Sequence, residues 1–114
     1  MIKIYNRLYN TLGICQKAGR LTLGTAAVEA QIINKRAKLV LLSSRLSERT
    51  IKKFKQLCTE NNVKVFIIDD NGCLGKSIGR DDIKIMAITD YNFKKMVCEV
   101  YNQESGVSNE CQRK

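Results

Sequence analysis

Three short apolar runs constrain this chain most: AKLVLLSS (37–44), VKVFII (63–68) and KIMAIT (84–89). Each is bounded by polar residues and has the length of a strand. A continuous apolar run, rather than an alternating one, suits a strand covered on both faces. Helical spacing fills the intervals. Tyr5, Leu8, Leu12 and Cys15 define an amphipathic helix over 2–17, stopped by Ala18-Gly19. Leu21 to Leu23 forms a short extended piece. A second helix then starts at Gly24-Thr25, with Thr25 as the expected N-cap, and runs to about Asn34, burying Val28 and Ile32. A third opens at Ser47, with Ile51, Phe54 and Cys58 on one face and Arg49, Lys52, Lys53 and Lys55 on the other, and stops near Asn61-Asn62. Asn71-Gly72 reads as a turn, Leu74 to Ile78 as a short helical segment closed by Gly79, and Phe93, Met96, Val97 and Val100 as a last helix over about 91–101. This alternation predicts an α/β fold, a three-layer α/β/α sandwich around a four-stranded mixed sheet. The expected domain spans 1–101. NQESGVSNECQRK (102–114) has too few apolar residues to offset ordering entropy and reads as a flexible C-terminal tail.

Size and composition narrow the function. A chain of 114 residues suits one domain, and no apolar run approaches the roughly 18 residues of a membrane-spanning helix. MIKIYNRLYN has neither the apolar stretch nor the cleavage site of a signal peptide, so the sequence reads as cytoplasmic. Five cysteines occur without a C-x-x-C pair and without any histidine. That pattern fits reduced, mostly buried thiols and offers no ligand set for a metal; no cofactor is expected. The charge is one-sided. Residues 1–64 hold 13 Lys/Arg against 3 Asp/Glu and residues 65–114 hold 7 against 8, which gives the net +9. A cationic half on a small domain points to a polyanionic partner, most commonly nucleic acid.

NGCLGKSIGR (71–80) raises the question of a phosphate loop, because Gly75-Lys76-Ser77 follows a strand. The Walker pattern requires glycine five positions before Gly75, and Asp70 stands there, with Asp69 beside it. Carboxylates in that position oppose a triphosphate. Without histidine there is no Ser-His or Cys-His dyad. Asp69/Asp70 and Asp81/Asp82 are adjacent in sequence and make poor acid–base couples. No catalytic residue is assigned, and the chain reads as a non-enzyme.

Three segments taken together carry a resemblance: AGRLTLGTAAVEAQI (18–32), RAKLVLLSSRLSERTIKKFKQLCTENNVKVFII (36–68), and LGKSIGR (74–80) followed by IKIMAITDYNFKK (83–95). Over about residues 8–97 the chain resembles the ribosomal protein L7Ae/L30e family, most closely its bacterial YlxQ-type branch. The resemblance implies an α/β/α sandwich that binds structured RNA, typically kink-turns, without enzymatic activity. It implies RNA contact at the start of the helix after the first strand, where the family pattern is roughly G-[TS]-N-E-x-x-K. Gly24 and Thr25 match its first two positions; Ala26, Ala27 and Ala30 occupy its Asn, Glu and Lys positions. Alanine has no side-chain donor or acceptor with which to read a base edge. A second RNA-facing element follows the LGxAxG segment, matched here by Leu74, Gly75, Ser77 and Gly79.

The residues themselves suggest how RNA would be held. A helix beginning at Gly24 offers free backbone N–H groups to a phosphate. Lys17 and Arg20 flank that turn in sequence, Lys35 and Arg36 lie at the far end of the same helix, and Lys76 and Arg80 belong to the second element. The expected partner is structured RNA, in the first instance ribosomal RNA or the ribosome, with no membrane partner. The competing reading is a protein-interaction module that docks an acidic partner on the same face.

Overall fold

The computed structural model describes residues 6–69, 74–80 and 82–105. The described residues form four α-helices and four strands in the order α1 (Asn6–Lys17), β1 (Leu21–Leu23), α2 (Thr25–Ile33), β2 (Leu39–Ser43), α3 (Glu48–Glu60), β3 (Lys64–Ile68), β4 (Ile85–Ile88) and α4 (Tyr91–Ser105). A 3₁₀ turn, Gly75–Ile78, precedes β4. The strands form one sheet in the order β1-β4-β2-β3. β2 and β3 are parallel, whereas β4 is antiparallel to both β1 and β2, so the sheet is mixed.

The apolar runs are explained by the two faces. On β2, Leu39 and Leu41 face one layer while Val40 and Leu42 face the other, and all five strand residues are buried. β4 divides likewise, with Met86 and Ile88 on the first face and Ile85 and Ala87 on the second. Leu8, Leu12 and Cys15 of α1, Val97 of α4, and Leu74 and Ile78 around the 3₁₀ turn cover the first face. Val28 and Ile32 of α2 with Phe54 and Cys58 of α3 cover the second. This is the expected three-layer sandwich.

Two boundaries differ from the sequence reading. α4 continues to Ser105, so residues 102–105, assigned by sequence to the tail, are helical. Gln103 accepts a hydrogen bond from Arg7 Nη1 at 2.6 Å, a contact between chain ends that local composition does not reveal. At α2 the N-cap is Gly24 and not Thr25, and no side chain caps the helix. Gly24 has φ 94° and ψ 153°, a conformation essentially reserved for glycine, so the turn itself sets the helix start. The turn expected at Asn71-Gly72 lies outside the described residues, as do Cys73 and Cys111.

Strand direction gives the sheet two distinct ends. At one, the tip, β1, β2 and β3 finish and β4 begins. Here the Gly24 N–H donates to the Ile85 carbonyl (3.1 Å), the Ser43 N–H to Lys84 (2.9 Å) and the Ser44 N–H to Ile68 (2.9 Å). At the other, the base, the Thr89 N–H donates to Arg20 (3.1 Å) and the Lys38 N–H to Ile88 (2.7 Å). From Arg20 to Gly24 is four residues of extended chain, about 13 Å.

Candidate nucleic-acid interface

The tip brings together the two loops singled out by the sequence. The bond from Gly24 to Ile85 ties the start of α2 to the segment 80–84 that leads into β4. The first intrahelical bond of α2 runs from the Val28 N–H to the Gly24 carbonyl, at 3.0 Å. The amides of Thr25, Ala26 and Ala27 precede it and have no side-chain cap. These three residues are exposed, as is Ala30 one turn further on. The start of α3, also at the tip, differs: Ser47 Oγ accepts the Thr50 N–H at 3.2 Å and the Ser47 and Thr50 hydroxyls bond each other at 2.9 Å. The sequence SERT is thus an N-cap with threonine, not glutamate, at the third helical position.

The segment LGKSIGR holds the second loop in place. The Arg80 N–H donates to the Gly75 carbonyl (2.9 Å) and the Ile83 N–H to the Arg80 carbonyl (3.0 Å). A Cβ on Gly75 would lie 2.1 Å from the Arg80 carbonyl oxygen and 2.6 Å from that of Ile83. Glycine is therefore required at 75 because the backbone of the 80–83 loop lies against it. The features that resemble a phosphate loop serve to brace a neighbouring loop. Lys76 sits on the 3₁₀ turn, and its side chain lies outside the described residues, as does Asp81.

Charge at the tip is mixed. Arg45, Arg49, Arg80 and Lys84 are exposed there, together with Glu48, Asp69 and Asp82. Part of the acid is engaged: Asp69 accepts from Ser44 Oγ at 3.3 Å, and Asp82 bonds Arg80 Nε and Nη2, both at 3.4 Å. The hydrogen bond from Arg80 lowers the Asp82 carboxyl below its ordinary range. Sequence reasoning missed Lys84 and Arg45. Lys84 was hidden inside an apolar run, and Arg45 is placed at the tip only by the direction of β2.

Lys17, Arg20, Lys35 and Arg36 fall at the opposite end. Proximity in sequence placed Lys17 and Arg20 beside the Gly24 turn, but β1 carries the chain away from them before that turn is made. At the base these cations meet the carboxyl ends of three helices, each closed in the same way. The Arg20 N–H donates to Cys15 and Gly19 to Gln16; Arg36 donates to Gln31 and Lys35 to Ile32; Val63 donates to Cys58 and Asn62 to Thr59. These are Schellman closures, with Gly19 (φ 73°), Lys35 (φ 64°) and Asn62 (φ 58°) in the left-handed position. Lysines and arginines beside three helix C-termini offset the negative ends of the helix dipoles. Lys35 Nζ additionally donates to Asn61 Oδ1 at 3.0 Å.

Known proteins resemble this chain in sequence and in fold. The profile of the ribosomal protein L7Ae/L30e/S12e/Gadd45 family matches residues 6–98, and the chain belongs to that family. Its sequence relatives make it a member of the bacterial YlxQ type. It is 35% identical over 82 residues to the RNA-binding protein YlxQ of Bacillus subtilis (strain 168), covering 72% of this chain and 82% of that protein. It is 31% identical over 91 residues to the RNA-binding protein YlxQ of Enterococcus faecium, covering 80% and 87%. Among solved structures, a Bacillus halodurans protein of unknown function superposes with a TM-score of 0.77 at 25% identity, covering 82% of this chain and 94% of that one. The Giardia lamblia 15.5kD RNA binding protein superposes with a TM-score of 0.71 at 14% identity, covering 88% and 86%, a likeness of fold alone.

Proposed function

We propose that this protein is a non-enzymatic, cytoplasmic binder of structured RNA that works on ribosomal RNA or on the ribosome, and that the RNA sits on the tip. One observation carries the placement: the hydrogen bond from Gly24 to Ile85 sets the uncapped start of α2 directly beside the 80–84 loop. The amides of Thr25, Ala26 and Ala27 offer a phosphate the positive end of a helix, and Gly24 leaves room for close approach. Arg80, Lys84 and Arg45 surround that point with cations. The relatives' names, RNA-binding protein, support the choice of RNA over an acidic protein partner.

The alanines set the mode of recognition. At positions 26, 27 and 30 the chain presents methyl groups to solvent, where the family pattern has groups able to bond base edges. Backbone amides and cations position RNA without reading its sequence. Recognition is then by shape, with a kink-turn as one acceptable fold and not a strictly selected one. Titration of a kink-turn hairpin and of the same hairpin with its non-canonical pairs replaced tests this. The native protein is expected to distinguish the two by less than about tenfold. The double variant Ala26→Asn/Ala27→Glu is expected to widen the gap, since a lost base-edge contact costs about 1–3 kcal/mol. Strong discrimination by the native protein would overturn this mode.

A further inference from the structure

Away from the start of α2, the outward side of α3 carries a cluster of exposed cations. Ile51, Phe54 and Cys58 turn that helix toward the sheet. Arg49, Lys52 and Gln56 follow one another at three- and four-residue spacing on the opposite side, so they share one face. Lys53 and Lys55 flank it, and all four cations are exposed. A helix that is merely solvated interleaves its charges in pairs three or four apart. Here Glu48 stands four residues before Lys52, yet the two form no ion pair. Among the described residues, the only ion pair of α3 is Lys53 with Glu29 of α2, at 3.2 Å. Glu60, at the far end, is bonded by Gln56 at 3.2 Å. Arg49, Lys52 and Lys55 have no carboxylate partner among the described residues.

The position of this face matters as much as its charge. Val28 and Ile32 of α2 pack with Phe54 and Cys58 of α3 on one face of the sheet, the Glu29–Lys53 bridge joins the two helices at the surface, and both start at the tip. The exposed side of α2 carries Ala26, Ala30 and Ile33 at helical spacing and no charge, with only methyl groups until the exposed Ile33 near the base. A smooth strip and a cationic ridge therefore run side by side away from the tip, toward the base. α3 has 13 residues and is about 20 Å long, and the cations from Arg49 to Lys55 occupy about 9 Å of it, in the half nearer the tip.

We propose that the outward face of α3, built on Arg49 and Lys52 with Lys53 and Lys55 beside them, is a second RNA contact that holds the phosphate backbone of a duplex arm leaving the tip. This rests on the RNA reading of the tip and extends it. The partner is a phosphate backbone because Arg49, Lys52 and Lys55 have no carboxylate partner among the described residues, while the amide on this face, Gln56, is engaged with Glu60. The Ala26–Ala30–Ile33 strip lets the duplex lie close without steric conflict.

The test uses two bulged hairpins with the same bulge, one with a short duplex arm of about three base pairs and one with an arm of about fourteen, which at about 3 Å per pair runs well past the ridge. Native protein is expected to bind the longer hairpin more tightly. Lys52→Gln/Lys55→Gln, which spares the cations already placed at the tip, is expected to remove that advantage, weaken binding to the long hairpin by about tenfold, and reduce the slope of log affinity against log salt by nearly two. It leaves binding to the short hairpin close to native. Lys38→Gln/Lys64→Gln, which removes equal charge elsewhere, leaves the slope with the long hairpin nearer native. If Lys84→Glu weakens both hairpins while the α3 variant behaves as native, the second contact is overturned and the tip reading stands. If native protein binds neither hairpin, both fall. Loss of binding to polyglutamate by the α3 variant, with RNA binding unchanged, would assign the face to an acidic protein and overturn the proposal.

Discussion

Gly75 shows how much one residue can decide. In sequence it belongs to a Gly-Lys-Ser triplet that suggests nucleotide chemistry. In the fold its α-carbon lies against the carbonyls of Arg80 and Ile83, and a single methyl there would come within 2.1 Å of one of them. Gly75→Ala must push the 80–83 loop outward. Thermal melting is expected to show a loss of about 1–3 kcal/mol, the range for a backbone-enforced misfit. RNA binding should fall by more than the loss of folded protein accounts for, because Arg80 and Lys84 move with the loop. A variant with native stability and native RNA affinity would show that the loop is not braced by this contact. The sequence points to glycine at 75 through its LGxAxG resemblance. The reason for it lies in a contact between residues five and eight positions apart, which only the folded backbone displays.

At the scale of elements, the helices and strands were largely legible because their signals are local. Ile51, Phe54 and Cys58 mark the buried side of α3 by spacing alone, and the apolar runs mark β2, β3 and β4. Helix ends were harder. Gly19 announced its stop plainly, but Lys35 adopts the same left-handed closure without being glycine, and α4 runs on to Ser105 where composition suggested a tail. Buried thiols give a solution test of the element packing. Burial, helped by the Asp90 charge at the start of α4, pushes the Cys15 thiol of α1 up to about 11, and burial alone pushes Cys58 of α3 up to about 11, from an ordinary 9.0. In the unfolded chain both ionise near 9. The stabilisation that the folded state gains from keeping them neutral is complete below pH 9 and is lost as pH rises to about 11. Urea melts at pH 8 and pH 10.5 should therefore show a drop in stability that Cys15→Ala/Cys58→Ala reduces. An identical pH dependence in that variant would contradict the packing of these two thiols.

At the scale of the whole molecule, strand direction decides which cations can act together. Charge counts located the positive half of the chain, and the family resemblance named the two loops that meet at the tip. Neither could show that Lys17 and Arg20 lie a strand's length from Gly24, because that depends on which way β1 runs beside β4. Under the proposed function the base cations serve helix C-termini and the tip cations hold RNA. Titrating one kink-turn hairpin with two charge reversals of equal size, Lys84→Glu at the tip and Arg20→Glu at the base, separates these roles. Lys84→Glu is expected to weaken binding about tenfold or more and to lower the salt slope by about one or more; Arg20→Glu is expected to change affinity less than about threefold. Equal losses from both, or a larger loss from Arg20→Glu, would contradict the placement of RNA on the tip.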